Sequence, residues 1–481
     1  KGPAVLLQAA TAGEHRLRRI HGIWGLWQLG RKKVDAARPL VALLNDNDPE
    51  IRAQAAKVLG DVSFRAAAND VAELLKDPEP RVRSIAGMAM RRLADDSHVA
   101  DAVALLEANT ANDVFVRHGG VMTLAGVGRD TPEAVVALAA HGSVPVRLAA
   151  VVALRKLKHP GVARFLGDAD PLVVSEAARA IYDDLSIPEA LPALGRLLAR
   201  RPFDDEPSLR RAIHANLRLG DADAARRLVD YAASPGAPEM WRVEALNALS
   251  QWNRKLELDA VQGFYRGTGP HDTALVVAAL DRVIGALTVD PSPAIQAAAS
   301  KLFSKIQYSG AEERITALAL DEDKDWSVRA SALEAMEALK APGYDEAVDA
   351  AFRSSSESLR VAALKLLGQT QPGAERTRAY IEERVEAGTL REQQLAWQLL
   401  KKAPRQALLM KGFEQLKKGQ LNKELRLDVY ETLRANPILS DRVGELKLDR
   451  YALALHGGRA EEGETVFKTS PLRETSTGGL E

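Results

Sequence analysis

One motif recurs along most of this chain and constrains its fold more than any other feature: Asp-Pro-x-Val-Arg, followed by a run rich in Ala and Leu. Asp48-Pro49-Glu50-Ile51-Arg52 is one copy, continued by Ala55, Ala56, Val58, Leu59 and Gly60, and Glu79-Pro80-Arg81-Val82-Arg83 is the next. Further copies centre on Val116-Arg117, Val146-Arg147, Leu209-Arg210, Trp241-Arg242, Val328-Arg329, Leu359-Arg360, Leu390-Arg391 and Leu425-Arg426. With Arg18 and degenerate copies at Val174 and Gln296, the register holds thirteen units, all but one interval falling between 27 and 36 residues. Periods of this size mark an array of one supersecondary unit.

Each unit predicts two helices. After the Arg, apolar residues recur at helical spacing, as in Val82, Ile85, Ala86, Ala89 and Leu93. Before the Asp lies a second amphipathic stretch, such as 38–44 or 68–75. The Asp suits an N-cap and the Pro a first helical turn. No segment alternates like a β-strand of useful length. A lone helix pair cannot bury its apolar stripe, whereas stacked copies share a continuous core. The predicted fold is therefore all-α, a right-handed α-solenoid of about thirteen stacked two-helix repeats over residues 1–455, with an insertion at 251–270 and a separate tail at 456–481. The many alanines suit close helix approach, with layers roughly 8–10 Å apart.

Composition narrows the chemistry. Lys plus Arg and Asp plus Glu both number 65, so a net charge of zero gives no global attraction to nucleic acid or an anionic membrane. The absence of cysteine excludes disulfides, thiolate metal sites, a cysteine nucleophile and covalent haem attachment within these residues. The longest uncharged stretch, 134–146, is thirteen residues, short of the roughly 20 that a membrane span needs. A start at Lys1 without a basic-then-apolar leader reads as a processed chain or an excised fragment.

The Asp-Pro-x-Val-Arg turn and its Ala/Leu helix resemble the HEAT-like family, in its short bacterial form, over roughly residues 1 to 450. That resemblance implies a ladder between neighbouring repeats formed by the turn Asp and the following Arg. Asp48 with Arg52, Asp77 with Arg83, Asp113 with Arg117 and Asp325 with Arg329 are its expected members, joined by Arg147, Arg210, Arg242, Arg360, Arg391 and Arg426. All are expected to be structural.

Three places break the pattern. The long interval between Arg242 and Gln296 carries the insertion at 251–270, where Trp252, Arg254, Lys255, Phe264, Tyr265 and Arg266 bring aromatics beside cations. Such composition suits an interface hot spot, and the alternative is a loop folded over its own repeat with Trp252 plugging the gap. The first repeat carries Ile20, Ile23, Trp24 and Trp27 on one stripe. Either another body covers it, or both tryptophans pack on the second repeat. In the tail, Gly458, Ala460, Gly463 and Phe467 match the spacing of the first helix of a c-type cytochrome module, but the cysteines of its haem motif are missing. Together these features resemble the middle of large exported bacterial proteins that join a sugar-dehydrogenase-like propeller, a HEAT-like solenoid and cytochrome c. That resemblance implies a periplasmic or exported parent with redox catalysis outside this chain.

Catalytic and metal motifs are not found. Asp321, Asp323 and Asp325 begin like a calcium loop, but Trp326 and Ala332 stand where Gly and Glu are needed. Asp95, Asp96, His98 and Asp101 fit a solvated helix start. The basic stretch Lys401–Arg426 fits a solvated face. The expectation is a non-catalytic scaffold without cofactor, holding a protein partner or a neighbouring domain of its own polypeptide on its concave face and insertion. A segment of a redox protein is the second reading. A DNA-binding solenoid is the third, disfavoured by the zero charge, and a chromophore-lyase-like role has no residue to support it.

Overall fold

The computed structural model describes residues 2–12, 15–199, 205–448 and 453. The chain divides into two compact units, Lys1–Val283 and Ile284–Glu481. In both, helices stack in layers and each layer presents a straight second helix to the next. In the first unit these second helices are Arg16–Gly30, Pro49–Asp61, Pro80–Leu93, Val114–Val127, Val144–Leu157, Pro171–Tyr182, Glu206–Leu219 and Glu239–Leu249. In the second unit they are Pro293–Lys305, Trp326–Leu339, Glu357–Thr370, Leu390–Leu399 and Arg426–Ala435.

The motif explains where these helices start. Asp48 accepts a hydrogen bond from the Glu50 N–H at 2.9 Å, with Pro49 in the first turn, and Asp170 does the same for Leu172 at 2.9 Å beside Pro171. Asp113 and Asp325 cap their helices through Phe115 and Ser327. Each cap satisfies an amide that the helix leaves without a partner. The first helices are shorter and less regular. Val34–Asn45 is a 3-10 helix with Pro39 inside it, and Ala68–Glu73 tightens into a 3-10 turn at Leu74–Lys76. Proline removes an amide donor and crowds the preceding turn, so a regular α-helix cannot run through it.

The core forms along the faces that the repeat pattern predicts. Ile51, Ala55, Val58 and Leu59 of one layer, and Val82, Ala86, Met90 and Leu93 of the next, are buried. Close approach is enforced at Gly87, where a Cβ would lie 2.5 Å from the backbone of Gly119 in the following second helix.

Two features differ from the sequence expectation. Residues 251–270 contain an antiparallel hairpin, Leu256–Leu258 with Tyr265–Thr268, pairing Leu256 with Thr268 and Leu258 with Tyr265. Strands of three and four residues are too short to show alternation, which is why no strand was legible. The apolar stripe of the first repeat is partly covered from within the chain, with Trp24 left exposed and Trp27 half-buried. Ile20, Ile23 and Leu26 are buried, and the helix Gly2–Ala12 lies so close that a Cβ on Gly22 would sit 2.5 Å from the Ala10 nitrogen. The cytochrome-like positions Gly458, Ala460, Gly463 and Phe467 lie outside the described residues.

Replacing Gly87 by Ala is expected to lower the thermal unfolding midpoint, although Ala is the better helix former by about 1 kcal/mol. Overpacking between the two backbones costs about 1–3 kcal/mol, and thermal melts followed by circular dichroism would read the net change.

Candidate functional site

Successive layers are joined by a polar ladder. Arg52, four residues past the N-cap, donates Nη1 to the carbonyls of Asp46 and Asn47 in the turn before its own helix, at 2.8 and 3.3 Å. Its other edge, Nε and Nη2, reaches the Asp77 carboxylate of the next turn at 2.7 and 2.9 Å. Asp77 in turn accepts from the Glu79 N–H at 2.9 Å and is only 7% exposed. Arg147 repeats this geometry, holding the carbonyls of His141 and Gly142 and the Asp168 carboxylate at 2.7 and 3.0 Å. Arg19 and Asp46 form the rung before Arg52. In the second unit Arg360 holds the carbonyls of Ser354 and Ser355, and reaches Glu392 at 2.7 Å. A planar guanidinium can bind a carboxylate with two parallel hydrogen bonds, so each complete rung fixes orientation as well as distance.

The ladder differs in detail from the expected pairs. The acid lies two residues before the N-cap, and it pairs with the Arg of the preceding repeat. Asp48 instead pairs with Arg16 at 2.5 Å. Arg83 touches the carbonyls of Asp77 and Pro78, and Arg117 donates to the Asn112 side chain. Arg242 and Arg329 reach the carbonyls of Ala232 and Ala319, and Arg426 those of Leu421 and Gly419. Asp113 and Asp325 act as caps rather than rungs. Arg210 pairs with Glu206 on the surface, while Arg211 makes the inter-repeat contact with Asp183 at 2.7 and 3.1 Å. Arg391 is exposed, and Gln393 takes the clamping position by donating to the Val385 carbonyl. The missed acids Asp46 and Asp168 share a signal with Asp77, which was expected in the ladder but with Arg83 as its partner: an Asp two residues ahead of the cap.

The hairpin is anchored by a second buried network. Asp259, at its base, accepts from the Tyr182 hydroxyl at 2.7 Å, from Arg218 at 3.1 Å, and from the amides of Val261 and Gln262 at 2.9 Å. Burial opposes its ionisation, but these donors outweigh it and hold the carboxyl below the usual range. Burial and the adjacent Asp259 charge push the Tyr182 phenol upward. Arg218 also donates to the carbonyls of Arg266 and Gly267, and Arg266 donates to the Asp183 carbonyl. Trp252 is fully buried, with its indole N–H on the Asp272 carbonyl at 3.0 Å and its ring against His271. It belongs to the root of the hairpin and not to its surface. Phe264 and Tyr265 project outward, Tyr265 being 84% exposed, and Arg266 lies over the Phe264 ring at 4.9 Å. Arg254 and Lys255 are exposed at the other end of the hairpin, near Gly269.

Exposed apolar side chains recur in the first turns of second helices: Leu17, Phe115, Leu172 and Met240 in the first unit, and, within the second unit, Trp326. Between second helices of the first unit lie three clefts. One of about 510 Å³ is lined by Trp24, Trp27, Gln54 and Lys57, with Trp24 bonded to Gln54 and Lys57 over the Trp27 ring. One of about 320 Å³ lies between Phe115 and the helix Pro80–Leu93, and one of about 420 Å³ lies between His118 and Glu176. Among the described residues no cluster of three or more His, Asp or Glu is arranged for a metal ion. Asp95 and His98 form a capping box. In the basic stretch, Lys401 and Lys411 pair with Glu431 and Glu386. No helix among the described residues is long and apolar enough to cross a membrane.

Residues 3–91 and 37–125 match the family model for HEAT repeats. The chain is a HEAT-like α-solenoid. The sequence matches no curated protein. Among solved structures, the solenoid is similar to Kap95 in the Kap95:Nup1 complex, at 13% identity over 98% of this chain and 74% of that chain, with a TM-score of 0.45. Kap121p bound to Pho4p is 11% identical over 98% of this chain and 52% of that chain, with a TM-score of 0.46. The complex of CpcE and CpcF of phycocyanin lyase from Nostoc sp. PCC7120 is 19% identical over 59% of this chain and 94% of that chain, with a TM-score of 0.24. At such scores these likenesses carry nothing about partner or reaction.

Two outcomes follow for the solenoid. Burial opposes ionisation of Asp46, Asp77, Asp168 and Glu392, yet hydrogen bonds from their arginines and from turn amides hold all four below the ordinary carboxylate range. Their stabilisation is therefore complete above the unfolded pKa of about 4 and disappears as pH falls through the folded values. Urea midpoints should be flat from pH 7 to 5 and drop steeply below pH 4. Replacing Asp259 by Ala strands Arg218 and Tyr182, and removing one member of a buried pair costs about 3–5 kcal/mol. Tryptic cleavage at Arg254 and Lys255 should then accelerate by roughly tenfold or more, because the hairpin root opens more often.

Proposed function

We propose that this solenoid is a non-catalytic protein-interaction scaffold whose contact surface is the row of second helices together with the outward face of the hairpin. The observation that carries the proposal is the repeated exposure of large apolar side chains in the first turns of the second helices. Phe115 is 71% exposed, Leu172 65% and Met240 59%, each in the first turn of a second helix, those of Phe115 and Leu172 capped by Asp113 and Asp170. Large exposed side chains of this kind serve as anchors where a partner offers a pocket for them. Phe264 and Tyr265 add an aromatic pair on the hairpin, with Arg266 over the Phe264 ring and Arg254 and Lys255 at the hairpin's other end, a composition favoured at binding hot spots. Trp24 and Trp27 supply a third aromatic position at the first cleft. The partner is another protein, or a neighbouring domain of the same polypeptide.

The test compares capture by the intact chain with capture by two variants, Phe264→Ala with Tyr265→Ala, and Phe115→Ser with Leu172→Ser and Met240→Ser. Exposed substitutions of this kind change stability by only about 0.5 kcal/mol, so unchanged melting would certify both variants. Truncating a hot-spot side chain costs about 2 kcal/mol or more of binding, close to thirtyfold in Kd. A partner lost from either variant by that margin supports the proposal and locates the contact. Equal recovery of every bound protein by all three chains would overturn it.

A further inference from the structure

The ladder in the first unit has a gap, and the gap has the shape of a binding site. At the position two residues before the cap, successive turns carry Asp46, Asp77, Ala111, His141 and Asp168. The arginines that face those positions are Arg19, Arg52, Arg83, Arg117 and, at Asp168, Arg147. Arg19, Arg52 and Arg147 make bidentate pairs with Asp46, Asp77 and Asp168. Arg83 faces Ala111, and Arg117 faces His141, so the two consecutive central rungs lack a carboxylate.

Arg83 is nevertheless held as its complete neighbours are. Its Nη1 donates to the carbonyls of Asp77 and Pro78 at 2.7 and 3.0 Å, matching the clamps made by Arg52 and Arg147. The Nε and Nη2 edge that grips Asp77 in Arg52, and Asp168 in Arg147, makes no bond within the described residues. Neither Arg83 nor Arg117 forms an ion pair there, and the Arg117 side chain is exposed, tethered only to Asn112. Of the carboxylates near this seam, Asp113 accepts the amides of Phe115 and Val116 on one oxygen, and Glu107 lies 3.9 Å from His141 Nε2. The same seam carries the exposed Phe115 ring and the cleft of about 320 Å³ beside Pro80, Ser84 and Ile85.

We infer that Arg83 and Arg117 bind carboxylates supplied in trans by an extended acidic segment of a protein partner, which completes the two missing rungs and seats an apolar side chain against Phe115. The inference rests on the scaffold reading and names its partner class. Charge complementarity selects the occupant, since two guanidinium groups without acids, of which Arg83 is pre-oriented by its turn carbonyls, match two carboxylates. Layers about 8–10 Å apart match one turn of a polyproline II chain, about 9 Å for three residues, which places i and i+3 on the same face. The recognised pattern is therefore an acidic residue at i and i+3 with an apolar residue between.

The probe is a fluorescein-labelled peptide, Gly-Ser-Glu-Leu-Phe-Glu-Ser-Gly, titrated against the full chain by anisotropy, with a control peptide carrying Gln for both Glu. Binding of the acidic peptide at least tenfold tighter than the control, reduced to the control level by Arg83→Gln with Arg117→Gln, is the expected result. A second variant separates recognition from folding. Ala111→Asp places the missing carboxylate in cis, and it should raise the thermal midpoint while weakening peptide binding. Equal binding of both peptides, or an Ala111→Asp chain that binds the acidic peptide as well as the native chain does, would overturn the inference. Those results would leave the wider scaffold proposal to its own capture experiment, which reads the hairpin and the exposed apolar side chains independently.

Discussion

The bidentate pairing of an arginine with the carboxylate of the next turn is the interaction on which the rest of this structure depends. In Arg52, Arg147 and Arg360 one edge of the guanidinium holds the carbonyls of its own turn while the other grips an acid one repeat further on. A single side chain thereby fixes the turn between two helices and the distance between two layers. Apolar packing alone is not directional, and a stack of alanine-rich helices could slide by a residue with little loss. The rungs supply directionality at the edge of the core, where the acids are buried enough to strengthen the bond.

Rigidity of that kind permits an exposed apolar surface. Phe115, Leu172 and Trp326 stand at the beginnings of helices capped by Asp113, Asp170 and Asp325, so their backbones are held by the caps. The hairpin follows the same logic by a different route. Its root is buried around Trp252 and Asp259, and that burial leaves Phe264 and Tyr265 free to face outward. Of the six insertion residues with an aromatic or basic side chain, Trp252 and Arg266 serve the attachment, and the other four remain at the surface or its edge.

Comparison of the rungs also shows how a repeat protein can acquire a site without new machinery. With Ala at position 111 the Arg83 clamp stays in place without an acid partner, and with His at 141 Arg117 holds only the Asn112 side chain. The remaining repeats carry the structural role, so local loss of the acid is tolerated. Gln296 and Gln393 show the opposite adjustment, keeping a backbone clamp and dispensing with the charge.

The repeat, its helical period and its caps were legible from sequence because they are local. An Asp or Ser before a Pro sets a helix start within four residues, and the spacing of Ile51, Val58, Val82 and Met90 selects the buried face without knowledge of the neighbours. The partners of the arginines were not legible, because an acid two residues before a cap and an acid at the cap look alike until a neighbouring repeat is placed beside them. The hairpin's strands were too short to announce themselves, and the burial of Trp252 depends on His271 and Asp272, twenty residues away. Local chemistry thus determined that the chain stacks helix pairs. Only the tertiary structure decided which charges pair between layers and which side chains are left facing solvent, since both are properties of contacts between segments that no single segment contains.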